Sequence, residues 1–470
     1  MHEATQSQAE LFATLPPIWP ESLLPTIQEK LPNAAKVVVL DDDPTGTQTV
    51  YDVPVLTTWG VAELARELAD PGPVFYILTN SRSLPLAEAQ ILNVQIGYAL
   101  AVAGEQSGRA FTVVSRSDST LRGHYPGEVN ALAMALEIQD APTLIIPFFR
   151  EGGRYTINDV HYVAEGEQLV PAAQTPFAQD AAFGYHTSDL RAWVEEKTEG
   201  RIPKDQVASI SLHDLRVGGP TVVADKLAAL GSGQACVINA TDLRDMEVLV
   251  AALLDIEATG RHFLYRTAAS FVQIRAGLTT RSLLTAADLA LPAAGGGLFV
   301  VGSYVPKTTM QVEALLAQSG IVPVEVDVSR LLEPSTRAAA IQQAQVAVAA
   351  AVMAGHDVVL YTSRTLVTGR DAASSLAIGQ QVSSALVAIV AGLSVTPRFL
   401  VAKGGITSSD LATQALQVRR AMVLGQLVPG VPVWRTGPES RLPGLTYVVF
   451  PGNVGGSDAL VQVQKKLARA

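Results

Sequence analysis

A short apolar run that ends abruptly in three aspartates limits the folds open to this chain. Residues 37–52 read VVVLDDDPTGTQTVYD, and Val37–Leu40 has the length and β-branched composition of a buried strand. Three adjacent carboxylates repel one another, and a purely structural loop rarely tolerates that. Ligands of open α/β sheets bind beyond the carboxyl ends of strands. The pattern predicts an α/β sheet with a site for a cation, a proton or a hydroxyl-rich ligand, the alternative being a plain acidic turn.

The overall composition narrows the class of protein. The chain has 470 residues, more than one hydrophobic core usually supports, so we expect two domains. A formal charge of −10 argues against a nucleic-acid partner, which requires basic surface. No apolar run reaches the roughly 18 residues that span a membrane, and the first residues do not read as a signal peptide. Together with one cysteine, Cys236, these features predict a soluble cytoplasmic enzyme.

Alternating strand and helix patterns run through both halves of the chain, as in βα units. We expect an N-terminal domain over residues 1–290 and a C-terminal domain over 298–470, because ADLALPAAGGGL at 286–297 reads as a linker. The predicted strands are 36–41, 74–79, 111–115, 143–147, 262–266, 298–302, 322–327, 357–362, 398–402 and 446–450. The fold class predicted is α/β, with a largely parallel sheet and flanking helices in each domain.

Charged side chains also follow three further predicted strands of the N-terminal half. A parallel sheet would bring these strand ends to one edge. Carboxylates accept hydrogen bonds from sugar hydroxyls, and arginine forks bind carboxylate or phosphate. The combination predicts a pocket for a small sugar acid, unless each Asp–Arg pair is only a structural ion pair. The residues assigned to it are Asp42, Asp43, Arg82, Arg116, Asp118, Ser119, Thr120, Arg122, Gly123 and Arg154.

Small-residue loops follow three predicted strands of the C-terminal half, in LFVVGS, RFLVAKGG and TYVVFPGNVGG. Glycines let backbone amides approach an anion, and a helix N-terminus favours negative charge. The chain has neither GxxxxGK[ST] nor GxGxxG, so each loop alone is weak evidence. Together they predict a nucleotide polyphosphate site. Its residues are Gly302, Ser303, Lys403, Gly404, Gly405, Thr407, Gly452, Asn453, Gly455 and Gly456.

These motifs, in this order, resemble the four-carbon acid sugar kinase family, which phosphorylates threonate, erythronate or 3-oxo-tetronate type acids. The family motifs D-D-x-T-G, S-R, K-x-D-S-T-x-R-G, G-R, G-S, G-G-x-T-S and G-N-x-G are matched by residues 42–46, 81–82, 116–123, 153–154, 302–303, 404–408 and 452–455. Three departures suggest a subfamily: Arg116 replaces the usual lysine, Ile406 a common glutamate, and Pro44 a frequent aromatic residue.

The resemblance implies an acid-binding N-terminal domain, an ATP-binding C-terminal domain and an active site in the interdomain cleft. Asp43 or Asp42 would orient and deprotonate the terminal hydroxyl of the acid. Arg82, Arg122 and Arg154 would hold its carboxylate, and the glycine loops would cradle ATP, with Mg²⁺ bridging the phosphates. The histidines show no metal-binding spacing, and no protein metal ligand is assigned.

Two other functions fit parts of the sequence. A haloacid-dehalogenase-like phosphatase would use Asp41 as nucleophile and Asp43 as acid, but residues 37–196 contain no lysine for its later motif. A sugar-acid-binding regulator without turnover would not need the C-terminal glycine loops. The oligomeric state is left open, because the alanine-rich segment near 338–354 can pack against a homodimer partner or against its own sheet.

Overall fold

The computed structural model describes residues 4–302, 305–364, 372–452 and 454–468. The chain forms two compact units, Met1–Gly46 with Thr58–Thr280 and Thr47–Thr57 with Arg281–Ala470. The sequence-based ranges 1–290 and 298–470 do not include this crossing of residues 47–57. The segment belongs to the second unit because its strand, Val53–Leu56, pairs antiparallel with Arg420–Val428.

The strands of both units are short, and most of their residues are buried. In chain order they are β1 (Gln6–Ser7), β2 (Lys36–Asp41), β3 (Val53–Leu56), β4 (Val74–Leu78), β5 (Phe111–Arg116), β6 (Thr143–Ile146), β7 (Arg154–Ile157), β8 (Val160–Glu165), β9 (Gln168–Pro171), β10 (Ala208–Ile210), β11 (Ala235–Ile238), β12 (Leu264–Thr267), β13 (Leu298–Val301), β14 (Ile321–Val326), β15 (Asp357–Thr362), β16 (Phe399–Lys403), β17 (Arg420–Val428), β18 (Val431–Thr436) and β19 (Thr446–Phe450).

The α-helices alternate with these strands. In chain order they are α1 (Gln8–Ala13), α2 (Leu24–Lys30), α3 (Val61–Ala69), α4 (Leu86–Ser107), α5 (Gly127–Ala135), α6 (Leu190–Lys197), α7 (Gly219–Ala229), α8 (Leu243–Glu257), α9 (Ala269–Arg275), α10 (Ala286–Leu289), α11 (Pro306–Leu316), α12 (Val328–Leu332), α13 (Pro334–Met353), α14 (Ala372–Ala391), α15 (Gly405–Asp410) and α16 (Ala459–Leu467).

The first unit contains a parallel sheet in the order β10-β11-β6-β12-β5-β2-β4. Its central strands are buried on both faces, as β2 shows from Lys36 to Asp41, because helices cover both sides. From β2 the chain continues to β4 on one side, whereas from β5 it continues to β6 on the other. The loops after the adjacent strands β2 and β5 therefore diverge, and such a switch point opens a crevice at the carboxyl edge of a sheet.

The second unit contains a mixed sheet in the order β3-β17-β18-β19-β16-β13-β15-β14. Strands β19, β16, β13, β15 and β14 are parallel, and β3, β17 and β18 are antiparallel additions. From β13 the chain continues towards the β14 side, and from β16 towards the β17 side. A second switch point therefore lies at the carboxyl ends of β13 and β16. The predicted α/β class, with largely parallel strands and flanking helices, is confirmed.

Apart from β11, which is internal and parallel, the strands absent from the predicted list are edge or antiparallel strands. Strand β17 alternates half-buried and buried residues, so it lacks the continuous apolar run by which the other strands were found. Part of the excursion at 150–186 forms a small antiparallel sheet, β1-β9-β8-β7. These elements depend on pairing partners far away in sequence, which a local pattern does not reveal.

Two long helices test the predictions about membranes and partners. Helix α4 is the one helix in the described residues long and apolar enough to cross a membrane. It packs against α3 and α5, and about one third of its apolar window is buried. Helix α13 buries Ala340, Ala344 and Val348 against elements of its own unit, including β14, β15 and α14. The alanine-rich face is therefore occupied by the sheet of its own chain.

Candidate active site

The three aspartates after β2 and the arginines that follow β4 and β5 lie together at the first switch point. Asp42 accepts two hydrogen bonds from one edge of the Arg82 guanidinium, at 3.1 Å from Nε and 2.5 Å from Nη2. Its Oδ2 also accepts a 2.6 Å bond from Ser117 Oγ. The Asp42 carboxylate is thus fully engaged and 4% exposed, which makes it a fixed anchor for Arg82.

Asp43 is the most accessible carboxylate of the three, with a side chain 24% exposed. Its Oδ2 lies 3.2 Å from Arg82 Nη1, and its Oδ1 accepts bonds from the amide and hydroxyl of Thr45. Burial raises the pKa of Asp43, but the Arg82 charge and the Thr45 hydrogen bonds outweigh it and leave the pKa below its ordinary value. Asp43 is therefore an ionised acceptor that a ligand can reach.

Asp41, like Asp42, is almost completely buried, but its ion-pair partner is Arg116. Its Oδ1 lies 3.2 Å from Nη1 of Arg116, itself buried. Burial raises the pKa of Asp41 to about 7; Arg116 lowers it, and the charges of Asp42 and Asp43 raise it. A Cβ at Gly46 would overlap the Asp41 carboxylate, so the glycine of the D-D-x-T-G motif is required for space.

The loop after β5 holds a second set of paired charges. Asp118 Oδ2 accepts a 2.6 Å bond from Arg122 Nε and a bond from the Thr120 hydroxyl. Burial raises the pKa of Asp118, but the charges of Arg82 and Arg122 outweigh it and hold the pKa well below its ordinary value. Gly123 has φ +122°, and a Cβ there would crowd Ser117 Oγ and lie 3.2 Å from Asp42 Oδ2. This loop is therefore shaped by charge pairing and by one glycine.

Arg154, at the start of β7, stands apart from the other assigned arginines. It makes no ion pair with any residue that the structure describes, and its Nε is buried without a hydrogen-bond partner. The guanidinium lies 5.8 Å from the ring of Phe177, which also faces Arg122 at 5.1 Å. Burial and the Arg122 charge lower the pKa of Arg154. It is thus a cation still able to receive an anion.

Two further residues of this unit were missed by the sequence analysis. Arg266, in β12, is buried and donates to the carbonyl oxygens of Asp118 at 2.9 Å and Arg122 at 3.0 Å. Its place near the carboxyl end of the predicted strand 262–266 was an available signal. His161 Nε2 donates a 2.7 Å bond to the Ser119 carbonyl, and burial lowers its pKa to about 4. Both residues hold the loop after β5 in place.

The glycine loops of the second unit lie at its own switch point. Gly302 follows β13, and a Cβ there would lie 2.8 Å from Thr407 Oγ1 in α15. Gly404 ends β16 with φ +115°, and Gly405 begins α15. The loop after β19 includes Gly452, and Gly455 has φ +81°. Ser303 and Asn453 lie outside the described residues. The remaining assigned glycines and Thr407 thus occupy adjacent strand ends.

Two side chains fix the loop after β19. Lys403 Nζ donates to the carbonyl oxygens of Pro451 at 2.6 Å and Gly452 at 2.8 Å. Burial and the Lys307 charge lower the pKa of Lys403 to about 7. Gln311, in α11, donates to the carbonyl oxygens of Val454 at 3.1 Å and Gly456 at 2.8 Å, and was missed from sequence. The structure thus shows Lys403 supporting the loop, and a contact with phosphate stays a prediction.

Unsatisfied polar atoms remain beside this cradle. Thr308 Oγ1 and Gln311 Oε1 are buried without a hydrogen-bond partner. Buried polar groups are normally paired, so these atoms fit a site that receives a polar ligand. Within the described ranges no group of three His, Cys, Asp or Glu side chains could hold a metal ion.

Comparison with known proteins identifies both units. Residues 37–275 match the family model described as Sugar-binding N-terminal domain, and residues 298–460 match the one described as Nucleotide-binding C-terminal domain. The chain is 30% identical over 437 residues to the 3-oxo-tetronate kinase of Methylobacterium radiotolerans, covering 89% of this chain and 96% of that protein.

Two solved structures share the fold. One is a protein from Salmonella typhimurium LT2, described as a candidate tRNA synthase, with a TM-score of 0.64 and 19% identity. The other is a Haemophilus influenzae protein of the DUF1537 family, with a TM-score of 0.61 and 18% identity. Each match covers 92% of this chain and 100% of the other. At these identities the likeness shows the fold alone. The two domain matches and the kinase relative show that the chain belongs to the four-carbon acid sugar kinase family.

Proposed function

We propose that this protein is an ATP-dependent kinase that phosphorylates the terminal hydroxyl of a small sugar acid, such as threonate, erythronate or a 3-oxo-tetronate. The observation that carries the proposal is the arrangement of the first unit. An accessible carboxylate, Asp43, and a guanidinium that makes no ion pair within the described part of the chain, Arg154, belong to one network of charged side chains. A hydroxy acid supplies the matching pair of groups, a hydroxyl for the carboxylate and a carboxylate for the guanidinium.

Asp43 is the residue proposed to act on the hydroxyl. Its Oδ2 is the accessible acceptor, and Arg82 holds it in one orientation. Phosphoryl transfer depends mainly on positioning and charge neutralisation, so an ionised carboxylate that orients the hydroxyl and takes its proton late is sufficient. Asp42 is the positioning residue, because its oxygens are already engaged by Arg82 and Ser117.

Arg154 is the residue proposed to bind the carboxylate of the acid. Arg82 and Arg116 are neutralised by the aspartates after β2, and Arg122 is paired with Asp118. These arginines organise the pocket and provide positive potential, whereas Arg154 retains its full capacity for a bidentate contact. The assignment of Arg82 and Arg122 as direct carboxylate ligands stays a prediction.

The glycine loops of the second unit are proposed to hold ATP through backbone amides near Gly302, Gly404 and Gly455. The unsatisfied Thr308 and Gln311 atoms support a polar ligand there. Mg²⁺ would bind the phosphate oxygens and neutralise their charge. Residues Gln311 and Lys403 would keep the loop after β19 in a shape that accepts the phosphates.

The burial of Asp41 argues against the phosphatase alternative. A nucleophile must reach the phosphorus atom, whereas the Asp41 side chain is 2% exposed and paired with Arg116. A binding protein without turnover is separated from a kinase only by measurement.

The test is release of ADP from Mg²⁺-ATP with purified tetronates and 3-oxo-tetronates offered one at a time. Release that depends on the acid, with a phospho-acid formed in equal amount, is the expected result. If ATP binds but no acid is phosphorylated, the proposed substrate class is wrong. If an acid binds without any turnover, the regulator function replaces the kinase.

A further inference from the structure

A turn from the excursion after β9 contributes two side chains to the acid pocket that no sequence motif indicates. They are Phe177 and Asp180, in and directly after the short helical turn Pro176–Gln179. We propose that Asp180 is a specificity determinant that restricts the acid pocket to ligands carrying one carboxylate. This inference rests on the proposed function and adds the charge selectivity of the same site.

Arg122 faces two carboxylates of the protein. Its Nε donates to Asp118 at 2.6 Å, and its Nη1 lies 3.6 Å from Asp180 Oδ2. The two carboxylates thus face the guanidinium from the loop after β5 and from the excursion. A carboxylate of a ligand that approached Arg122 at Nη1 would meet Asp180 first, and like charges repel.

One aromatic ring contacts both Arg122 and Arg154. Phe177 lies over both guanidinium groups, at 5.1 Å and 5.8 Å from its ring centre. Such stacking leaves only the edges of each guanidinium open to hydrogen bonds. Since Arg122 is already paired with the carboxylates of Asp118 and Asp180, Arg154 is the guanidinium that remains to bind a ligand carboxylate. One open anchor matches one carboxylate.

Hydrogen bonds within the turn hold the Asp180 side chain in one orientation. Its Oδ1 accepts bonds from the amides of Ala182 at 2.9 Å and Phe183 at 3.1 Å, which leaves Oδ2 directed to Arg122. An asparagine at this position keeps the Oδ1 acceptor and removes the charge. Asp180→Asn therefore tests the charge while the turn is retained.

The experiment compares two small acids that differ by a single carboxylate, glycolate and tartronate. Each is titrated calorimetrically into the full-length wild type, the Asp180→Asn variant and a control, Glu167→Gln. Glu167 is exposed, lies in the turn between β8 and β9, and makes no ion pair among the described residues. The control matches the change in net charge without touching Arg122.

We expect Asp180→Asn to improve the affinity for tartronate relative to glycolate by roughly tenfold, since one like-charge contact is removed. Glu167→Gln should leave the ratio at the wild-type value. An unchanged ratio in Asp180→Asn, or failure of both acids to bind any variant, would overturn the inference. Binding is read without ATP, so an inactive enzyme that still shows the shift would contradict the proposed function and leave the inference standing.

Discussion

The two switch points of this protein occupy equivalent places in their sheets but are built from different chemical groups. Beyond β2 and β5 the first unit places carboxylates and guanidinium groups that neutralise one another, Asp42 with Arg82 and Asp118 with Arg122. Beyond β13 and β16 the second unit places glycines, with Lys403 and Gln311 bonded to loop carbonyls. In the proposed function, the first edge would recognise its ligand with side chains, and the second would do so with backbone amides.

This difference in chemical groups predicts how sensitive each site should be to substitution. A site made of paired charges loses two interactions when one partner is removed, because the remaining charge is left buried and unpaired. A site made of backbone depends on the space and conformation that glycines allow. Changes in the first unit should therefore alter acid binding or turnover and leave ATP binding unchanged, and the converse should hold for the second.

The largest effect is expected at Asp43. Asp43→Asn keeps the Thr45 hydrogen bond but removes the base, so turnover should fall by roughly 10²- to 10⁴-fold. Acid binding and ATP binding, measured separately by calorimetry, should change little. Steady-state kinetics with wild-type turnover would remove Asp43 from the mechanism. Loss of ATP binding would break the proposed division between the units.

The next effect concerns stability and compares two glycines with positive φ. Gly123→Ala introduces a Cβ against Ser117 and forces φ +122° on a residue that disfavours it, so we expect a loss of roughly 2–4 kcal/mol. Gly166→Ala at φ +62° meets no atom within 4 Å and should cost about 1 kcal/mol. Urea denaturation measures both. Equal losses would show that the space beside Asp42 is not limiting.

Arg154 should affect the affinity for the acid more than the rate of phosphoryl transfer. Arg154→Gln removes a charged hydrogen-bonding partner, so KM for the acid should rise roughly 10- to 100-fold while kcat changes less. Arg150→Gln, at an exposed arginine of the same segment, is the matched control. If Arg154→Gln has wild-type KM, the carboxylate is held by Arg82 or Arg122.

In the second unit, the support of the loop after β19 can be removed. Gln311→Leu deletes the two bonds to the carbonyl oxygens of Val454 and Gly456, and ATP affinity should fall roughly tenfold. Gln318→Leu serves as the control, because the Gln318 side-chain amide donates to the Ala314 carbonyl of α11 and makes no contact with the loop after β19 among the described residues. Acid binding should be unaffected in both. An effect of Gln311→Leu on acid binding alone would reverse the proposed roles of the units.

The last effect is a gradual pH dependence of stability at Asp41. Its folded-state pKa is raised to about 7 against 3.8, so the protonated form contributes stability that is full below pH 4 and lost as pH rises through 7. Asp41→Asn removes this dependence. The wild type should therefore lose stability relative to the variant by up to about 1 kcal/mol per pH unit across that range.

Urea denaturation of both proteins between pH 4.5 and pH 8 gives the comparison. The charged groups that face Asp41 are Arg116, Asp42 and Asp43, and all are present in both proteins. Parallel stability curves would show that Asp41 titrates normally. That result would also remove the main electrostatic difference between Asp41 and its neighbours.

Local pattern was sufficient for the central strands and for the residues at their ends. Strands β2, β4, β5, β13 and β16 were predicted because buried parallel strands are continuous apolar runs bounded by polar or glycine residues. The same runs placed the aspartates and the glycine loops at strand ends. The pairing of Asp42 with Arg82 was not specified by any local rule, since 40 residues separate them.

The α/β class, the buried parallel strands and the residue types at their carboxyl ends can be read from the amino-acid sequence, because these follow from hydrophobic period and from short-range turn chemistry. Which charged side chains form ion pairs depends on the tertiary structure. Tertiary contacts bury Asp41 against Arg116, leave Arg154 without an ion pair among the described residues, and bring Arg266, Phe177 and Asp180 beside the charged loop after β5. Burial and pairing depend on contacts between distant segments, and they determine which of several like residues can act on a ligand.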